Sequence, residues 1–492
     1  MKLHPRALVV LATAAACALT AIDAVPQTPP APASGAANDH APELEVAIRA
    51  VVNDHALRGA SIGIAIYDIE TGHYLAASNE HAPLNPASNA KLFTAAGALA
   101  TLHGDHRYET TLSGNVKKDG VAGPLVLRGH GDPSLSTADL WDMVQELRSY
   151  GVRHIDGDIL VDQLFFDEQT TPPAFEQQPN EWSYFRAPVS AVALNENCVT
   201  MTVRPGGAGG GARVEFDPPG FVDVDGSVKT SDGGADNVVL ALSGNGQRMN
   251  AHVAGSIAED SRLVRYTKRV ENPTLLAGYA LRALLDRADI KVSGDVKAGG
   301  AGNRAKTIAR HESPPLSELL YGLGKRSDNF YAEMIFKTIG GEVNGRPAKS
   351  EGGAEQVLHW LDRVGANDAG VAIKNGSGLF DANKVTAVSV VQLLRAAWKD
   401  PEMQPEFVAQ LAIGGVDGTL HKRFRTEHTR RMVRAKTGTL DDTIALSGYV
   451  LSPNGKGPIA FSLLFNHIAG HQDSARNATD KLVELIARRL NK

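Results

Sequence analysis

Ser88 and Lys91 stand three residues apart in Pro86-Ala87-Ser88-Asn89-Ala90-Lys91-Leu92-Phe93, a hydroxyl nucleophile spaced to meet an amine base. From Leu92 the apolar residues recur as Leu92, Ala95, Ala96, Leu99 and Leu102, the period of an amphipathic helix with one buried stripe. Ser88 then falls in its first turn, where side chains at i and i+3 share a face. Lys91 can accept the Ser88 proton there, provided that burial keeps its amine neutral. Unpaired N–H groups at a helix start also favour developing negative charge. A Ser-x-x-Lys spacing arises about once by chance in a chain of this length. It occurs once here, so its meaning rests on companions downstream.

Lys436-Thr437-Gly438, followed by Thr439, is the chain's single Lys-Thr-Gly and lies in strand-like pattern. Ser327-Asp328-Asn329 matches Ser-x-Asn, as do Ser113-Gly114-Asn115, Ser243-Gly244-Asn245 and Ser452-Pro453-Asn454. Only Ser327 is embedded in helical pattern and precedes Lys-Thr-Gly, so order and setting select it. The ordered set resembles the serine penicillin-recognising enzymes. Five more segments carry a narrower resemblance: Gly129-His130-Gly131-Asp132-Pro133, Ala187-Pro188-Val189-Ser190-Ala191, Asn195-Glu196-Asn197, Gly376-Ser377-Gly378-Leu379 and Asp417-Gly418-Thr419-Leu420. With the long stretch between the first two motifs, the chain resembles the D-alanyl-D-alanine carboxypeptidase/endopeptidase family of low-molecular-mass class C penicillin-binding proteins. It departs at Asn375, where that family often has aspartate, and at Phe380, where a small or polar residue is common.

The resemblance implies that Ser88 attacks the carbonyl between two D-alanines and forms an acyl-enzyme, with Lys91 as base if burial and nearby Lys436 depress its pKa. Ser327 can relay a proton to the leaving amine between Lys91 and Lys436. Asn329 offers an amide to the substrate peptide group, and Lys436, Thr437, Gly438 and Thr439 form the place for its terminal carboxylate. Backbone N–H groups of Ser88 and Thr439 are the implied oxyanion hole, each such donor being worth roughly 3 kcal/mol of barrier. The implied partners are peptidoglycan stem peptides and β-lactam antibiotics. No metal or organic cofactor is required.

These residues need elements to position them. Helical periodicity covers Leu44 to Leu57, the region from Leu316 through Ser327-Asp328-Asn329 into Phe330, Met334 and Ile335, then Val357 to Val364, Val385 to Trp398 and Ala475 to Leu490. Strand patterns occur at Ser61 to Asp68 and His73 to Ala77, and again at Met432 to Thr437, Ala445 to Leu451 and Ile459 to Phe465. Strands at both ends around central helices predict an α/β fold in which one antiparallel sheet is built from the two chain ends. The resemblance implies that this is a β-lactamase/transpeptidase-like domain, split by a large β-rich insertion. The expected order is a signal peptide (1–24), a Pro/Ala-rich linker (25–39), a catalytic domain (40–107 and 305–492) and an inserted region (108–304) open to division into two subdomains.

Lys2 and Arg6 before the apolar run Ala7 to Leu19 mark the leader, which predicts a periplasmic or secreted protein. No later stretch is apolar enough to span a bilayer. A formal charge of -5 leaves no basic excess for nucleic acid. Loss of Cys17 with the leader leaves Cys198 unpaired, a small hydrophobe without cysteine-protease context. Gly206 to Gly211 lacks a P-loop lysine and reads as a loop. Gly59-Ala60-Ser61-Ile62-Gly63 matches Gly-x-Ser-x-Gly, but strand pattern follows the serine where a nucleophile elbow needs a helix. His467 and His471 lie four apart without His-Glu-x-x-His, as surface histidines do. A β-lactamase would share the three motifs without the long insertion, and a non-catalytic wall-binding module would lack Ser88 or Lys91. The balance of carboxypeptidase and endopeptidase activity, the oligomeric state, and whether Asp162 and Asp167 meet a cationic peptide side chain or solvent stay open at this level.

Overall fold

In Ser61–Asp68, Ile62, Ile64 and Ile66 alternate with Gly63, Ala65 and Tyr67, so the strand offers an aliphatic row to one side and a second row to the other. Both rows are buried, because the sheet carries helices on both faces. The computed structural model describes residues 41–300 and 305–491; the expected signal peptide (1–24) and linker (25–39) both lie outside the described residues. The sheet runs Ala412–Ile413, Val433–Leu440, Thr443–Val450, Ile459–Asn466, Ser61–Asp68, His73–Ser78, antiparallel throughout. The two chain ends meet where Ser61–Asp68 pairs with Ile459–Asn466, as the strand patterns predict.

One face packs against Pro42–Val52 and Gln472–Leu490, the latter through Leu482, Val483, Ile486 and Leu490. The opposite face packs against Ala90–Leu102, Leu316–Gly324, Asn329–Asn344, Ser350–Val364 and Ala387–Lys399. Two expectations change here. The helix read to Leu57 ends at Val52, and a short 3-10 turn follows at His55–Leu57 because the Asp54 carboxylate accepts the Ala56 N–H. Ala90–Leu102 is buried on almost all sides and not along one stripe. Its alanines and Gly97 permit that: a Cβ on Gly97 would lie 2.7 Å from Val357 Cγ2.

Between these halves of the sheet domain, residues 109–312 build separate sheets. Val296–Ala298, Ile159–Asp162, Leu125–Gly129, Glu109–Gly114 and Lys306–Glu312 form one of five strands. Lys306–Glu312 thus pairs with Glu109–Gly114 and extends this region past the expected boundary at 304. Two helices not expected in this β-rich region, Thr137–Ser149 and Leu276–Arg287, pack on the same core. Cys198–Arg204 pairs with Arg213–Asp217 and Val264–Arg269, and Met249–Ala258 is the centre of a further small sheet. A cluster containing Tyr108, Phe165, Phe166, Val189, Phe330 and Met334 joins this region to the helices of the sheet domain. No described helix is long and apolar enough to cross a membrane.

Candidate active site

Ser88 lies on a 3-10 turn, Ala87–Asn89, which leads into the helix beginning at Ala90. It therefore precedes the α-helix, where the periodicity placed it in the first turn. Ala87 has φ +45, a left-handed conformation that costs a non-glycine residue about 1–3 kcal/mol. Local hydrogen bonds hold it: the Ala87 N–H donates to Asn85 Oδ1 at 2.9 Å, and Asn85 exchanges two bonds with Asn466 on the last strand. The Asn89 amide donates to Ser447 Oγ at 2.8 Å on the neighbouring strand.

Lys91 is fully buried and its amine donates to Ser88 Oγ at 3.1 Å, Asn329 Oδ1 at 2.7 Å and the Ser377 carbonyl at 2.7 Å. Burial lowers its pKa to about 7, while Glu333 and Asp328 pull the other way. Lys436 is equally buried and donates to Ser327 Oγ at 2.8 Å and the Thr437 carbonyl at 2.8 Å. Burial first, and the charge of Lys91 second, push it well below the usual lysine range. Two amines so placed do not both hold a proton easily, and the charge of Lys91 is what disfavours a proton on Lys436 beyond its burial.

The helical region does not run through Ser327-Asp328-Asn329. One helix ends at Gly324, Ser327 adopts φ +61, and a new helix starts at Asn329. Asp328 makes the break, since its carboxylate accepts the Tyr331 N–H as an N-cap. The strained turn leaves the Ser327 hydroxyl free of the helix and close to Lys436. Asn329 is gripped at both ends of its amide, accepting from Lys91 and donating to the Phe185 carbonyl at 3.0 Å.

Lys436, Thr437, Gly438 and Thr439 occupy the strand Val433–Leu440. Gly438 is required by close approach, because a Cβ there would lie 2.8 Å from the Pro86 carbonyl oxygen. Thr437 donates to Thr419 Oγ1 at 2.9 Å, which ties Asp417-Gly418-Thr419-Leu420 to the strand. Ser88, Ser327, Asn329 and Thr439 line one open cleft of ≈ 710 Å³. Gln177, Phe185, Phe380, Asp381 and Asp442 contribute to its walls.

Other segments singled out in the sequence have different places. Gly376-Ser377-Gly378-Leu379 abuts the serine turn: Gly378 has φ +74, and a Cβ on it would be 1.9 Å from the Ala87 carbonyl oxygen. The Asn375 amide donates to the Pro173 carbonyl at 2.9 Å and to the Leu379 carbonyl at 3.2 Å, bonds that a carboxylate cannot make. The Gly131 N–H donates to the Ala191 carbonyl at 2.9 Å, and the Asn197 amide to Pro188 and Ser190, so three family-like segments interlock away from the cleft. Asp162 pairs with Arg128 at 2.7 Å and Asp167 pairs with buried Lys337, so both acids already have cations within the chain. Burial pushes the Cys198 thiol up, against nucleophilic use. Ser61 Oγ lies 3.1 Å from His467 Nδ1, but Ser61 opens a strand and has no elbow. Among the described residues, no three His, Cys, Asp or Glu side chains converge to hold a metal.

A serine and two buried lysines lie together between a helix and an antiparallel sheet of a mixed α/β fold, the fold of penicillin binding protein 4. The chain belongs to the D-Ala-D-Ala carboxypeptidase 3 (S13) family, whose model matches residues 44–489. It is 35% identical over 447 residues to a D-alanyl-D-alanine carboxypeptidase of Actinomadura sp., covering 87% of this chain and 82% of that one. It is 25% identical to the D-alanyl-D-alanine carboxypeptidase DacB of Haemophilus influenzae, covering 83% and 86%. Penicillin binding protein 4 of H. influenzae superposes with a TM-score of 0.71 at 23% identity, over 84% of this chain and 91% of that one. The chain is accordingly a D-Ala-D-Ala carboxypeptidase of the S13 family.

Sequence reasoning did not single out Asn85, Asn466, Phe185 or Glu333. Phe185 contributes through its carbonyl, and a backbone group leaves no mark in residue type. Glu333 had a readable sign, since it follows Asn329 by one helical turn on the same face.

Proposed function

We propose that Ser88, Lys91 and Ser327 carry the reaction and that Asn329 and Lys436-Thr437-Gly438-Thr439 bind the substrate, a peptidoglycan stem peptide ending in D-alanyl-D-alanine. Ser88 Oγ attacks the penultimate carbonyl carbon while Lys91 takes the hydroxyl proton. The tetrahedral oxyanion is received by the Ser88 and Thr439 N–H groups. Cleavage of the C–N bond expels terminal D-alanine, whose amine gains a proton through the Ser327 hydroxyl. Water then attacks the ester, with Lys91 as base, and frees Ser88. Arrival of the substrate carboxylate beside Lys436 favours the cationic form of that amine. Loss of a terminal D-alanine and opening of a cross-link follow the same steps, differing only in what lies beyond the broken bond.

The observation that carries this reading is the buried Lys91 amine 3.1 Å from Ser88 Oγ with its pKa near 7. The same cleft accepts a β-lactam as an acylating analogue; H. influenzae penicillin binding protein 4 is solved in complex with one. The inserted region is read as residues between the two parts of the catalytic domain, and the leader as export to the periplasm or medium. Intact-protein mass after exposure to penicillin tests the reading. A persistent adduct on wild type and none on folded Ser88→Ala, with D-alanine release lost, is expected. Rapid penicillin hydrolysis without an adduct would make the protein a β-lactamase, and an intact drug with no adduct would sink serine acylation.

A further inference from the structure

Glu333 is a buried carboxyl, 2% exposed, for which the reaction above has no use. It sits one turn after Asn329 on Asn329–Asn344, so both side chains leave the same face of that helix. Its two oxygens accept the N–H groups of Gly376 at 3.1 Å and Ser377 at 2.8 Å. The carbonyl of that same Ser377 accepts from Lys91 at 2.7 Å. Gly376 fits there because a Cβ would lie 2.5 Å from Phe336 Cβ on the helix, so the turn lies directly against it. One helix face therefore holds the lysine twice, directly through Asn329 and indirectly through the Glu333-anchored turn.

We propose that Glu333 is a positioning residue for the acylation step: its carboxylate clamps the Gly376-Ser377 turn that fixes Lys91 beside Ser88, and its charge sets how readily Lys91 gives up its proton. This rests on Lys91 being the base. The charged groups around the pair are few. Lys91 faces Glu333 on the helix, Asp328 at its N-cap and Lys436 on the strand. Glu333 faces Lys91 and, on its own helix, Lys337, which Asp167 also compensates. Burial raises the Glu333 pKa, while bonds from Ser377 and Gly376 and the charge of Lys91 oppose that rise. Lys91 thus works between a carboxylate that favours its proton and a desolvated site that does not.

Glu333→Gln preserves shape, removes the charge and turns an amide donor toward one of the two N–H donors. The test is the rate of penicillin adduct formation by intact mass, followed from well below to well above pH 7, in wild type and variant. Without the carboxylate, Lys91 loses its proton more easily, so the acid limb moves to lower pH by about half a unit or more. The plateau rate falls on the order of 10-fold as Lys91 loses its fixed placement. A folded variant with the wild-type midpoint overturns the proposal, even if the plateau drops, because a merely structural role would leave the limb in place. Should Glu333→Gln fail to fold, Glu333→Asp carries the test: it keeps the charge but draws the carboxylate back from the Gly376 and Ser377 N–H groups, so the plateau rate is expected to fall with the midpoint near that of wild type, and an unchanged plateau overturns the proposal. A wild type with no acid limb would instead remove Lys91 as base, and this inference with it.

Discussion

The serine turn of the six-stranded sheet domain and the outer strands of the region 109–312 handle polar groups in different ways. In the first, Asn85, Asn89, Lys91, Glu333, Asn375, Lys436 and Asn466 are all buried and mutually bonded or bonded to backbone around one turn. In the second, strands such as Asn237–Gly244 and Arg213–Asp217 alternate half-buried with exposed positions, with small apolar clusters beneath. The two regions meet at the cleft chiefly through backbone and anchoring contacts. The Phe185 carbonyl holds Asn329, the Pro173 carbonyl holds Asn375, and Gln177 donates to Asp381 at 2.6 Å. The contrast teaches that chemistry resides where charge is desolvated, and that the intervening region shapes the site by placing carbonyls and walls against it.

Removing a desolvated charge should break the first region's function most. Lys91→Ala is expected to slow penicillin adduct formation about 10³-fold, the scale of a general base. In wild type the same rate should fall about tenfold per pH unit below pH 7, because Lys91 must be neutral to accept the serine proton and its pKa lies at about 7. A variant that keeps a sloping acid limb would assign the limb to another group.

A smaller effect is expected from the intervening region's own anchor. The buried Arg186 guanidinium donates to the carbonyls of Phe175 and Glu181 and sits 5.7 Å over the Phe380 ring, fixing the turn that carries Phe185. Arg186→Ala should slow acylation about 10-fold by releasing the Asn329 amide from its carbonyl. Stopped-flow acylation kinetics, with the melting temperature as control, would read it. An unchanged rate would reduce the region to a bystander at the cleft.

The least change is expected far from the cleft. Val239 is 45% exposed on a strand of the outer sheet, and Val239→Thr should alter stability by no more than about 0.5 kcal/mol with acylation unaffected. Denaturant melts and adduct formation check both halves of that statement. A clear loss of acylation would mean that the outer sheet communicates with Ser88.

What residue order alone determined is considerable. The Ser88/Lys91 spacing, the single Lys436-Thr437-Gly438 and the strand patterns at both ends follow from local periodicity and side-chain chemistry, and these were enough to predict the sheet built from the two termini. The helix break at Ser327 was not legible, because a helical apolar pattern continues across it and only the Asp328 cap and a left-handed residue interrupt the backbone. Nor were the helices Thr137–Ser149 and Leu276–Arg287 singled out within a region read as β-rich. Tertiary structure alone decided that Lys91 and Lys436 are desolvated, that Asn329 is held by a carbonyl from the intervening region, and that Asp162 and Asp167 are already paired. Burial and long-range pairing depend on which segments pack together, and a pKa depends on what packing removes from water.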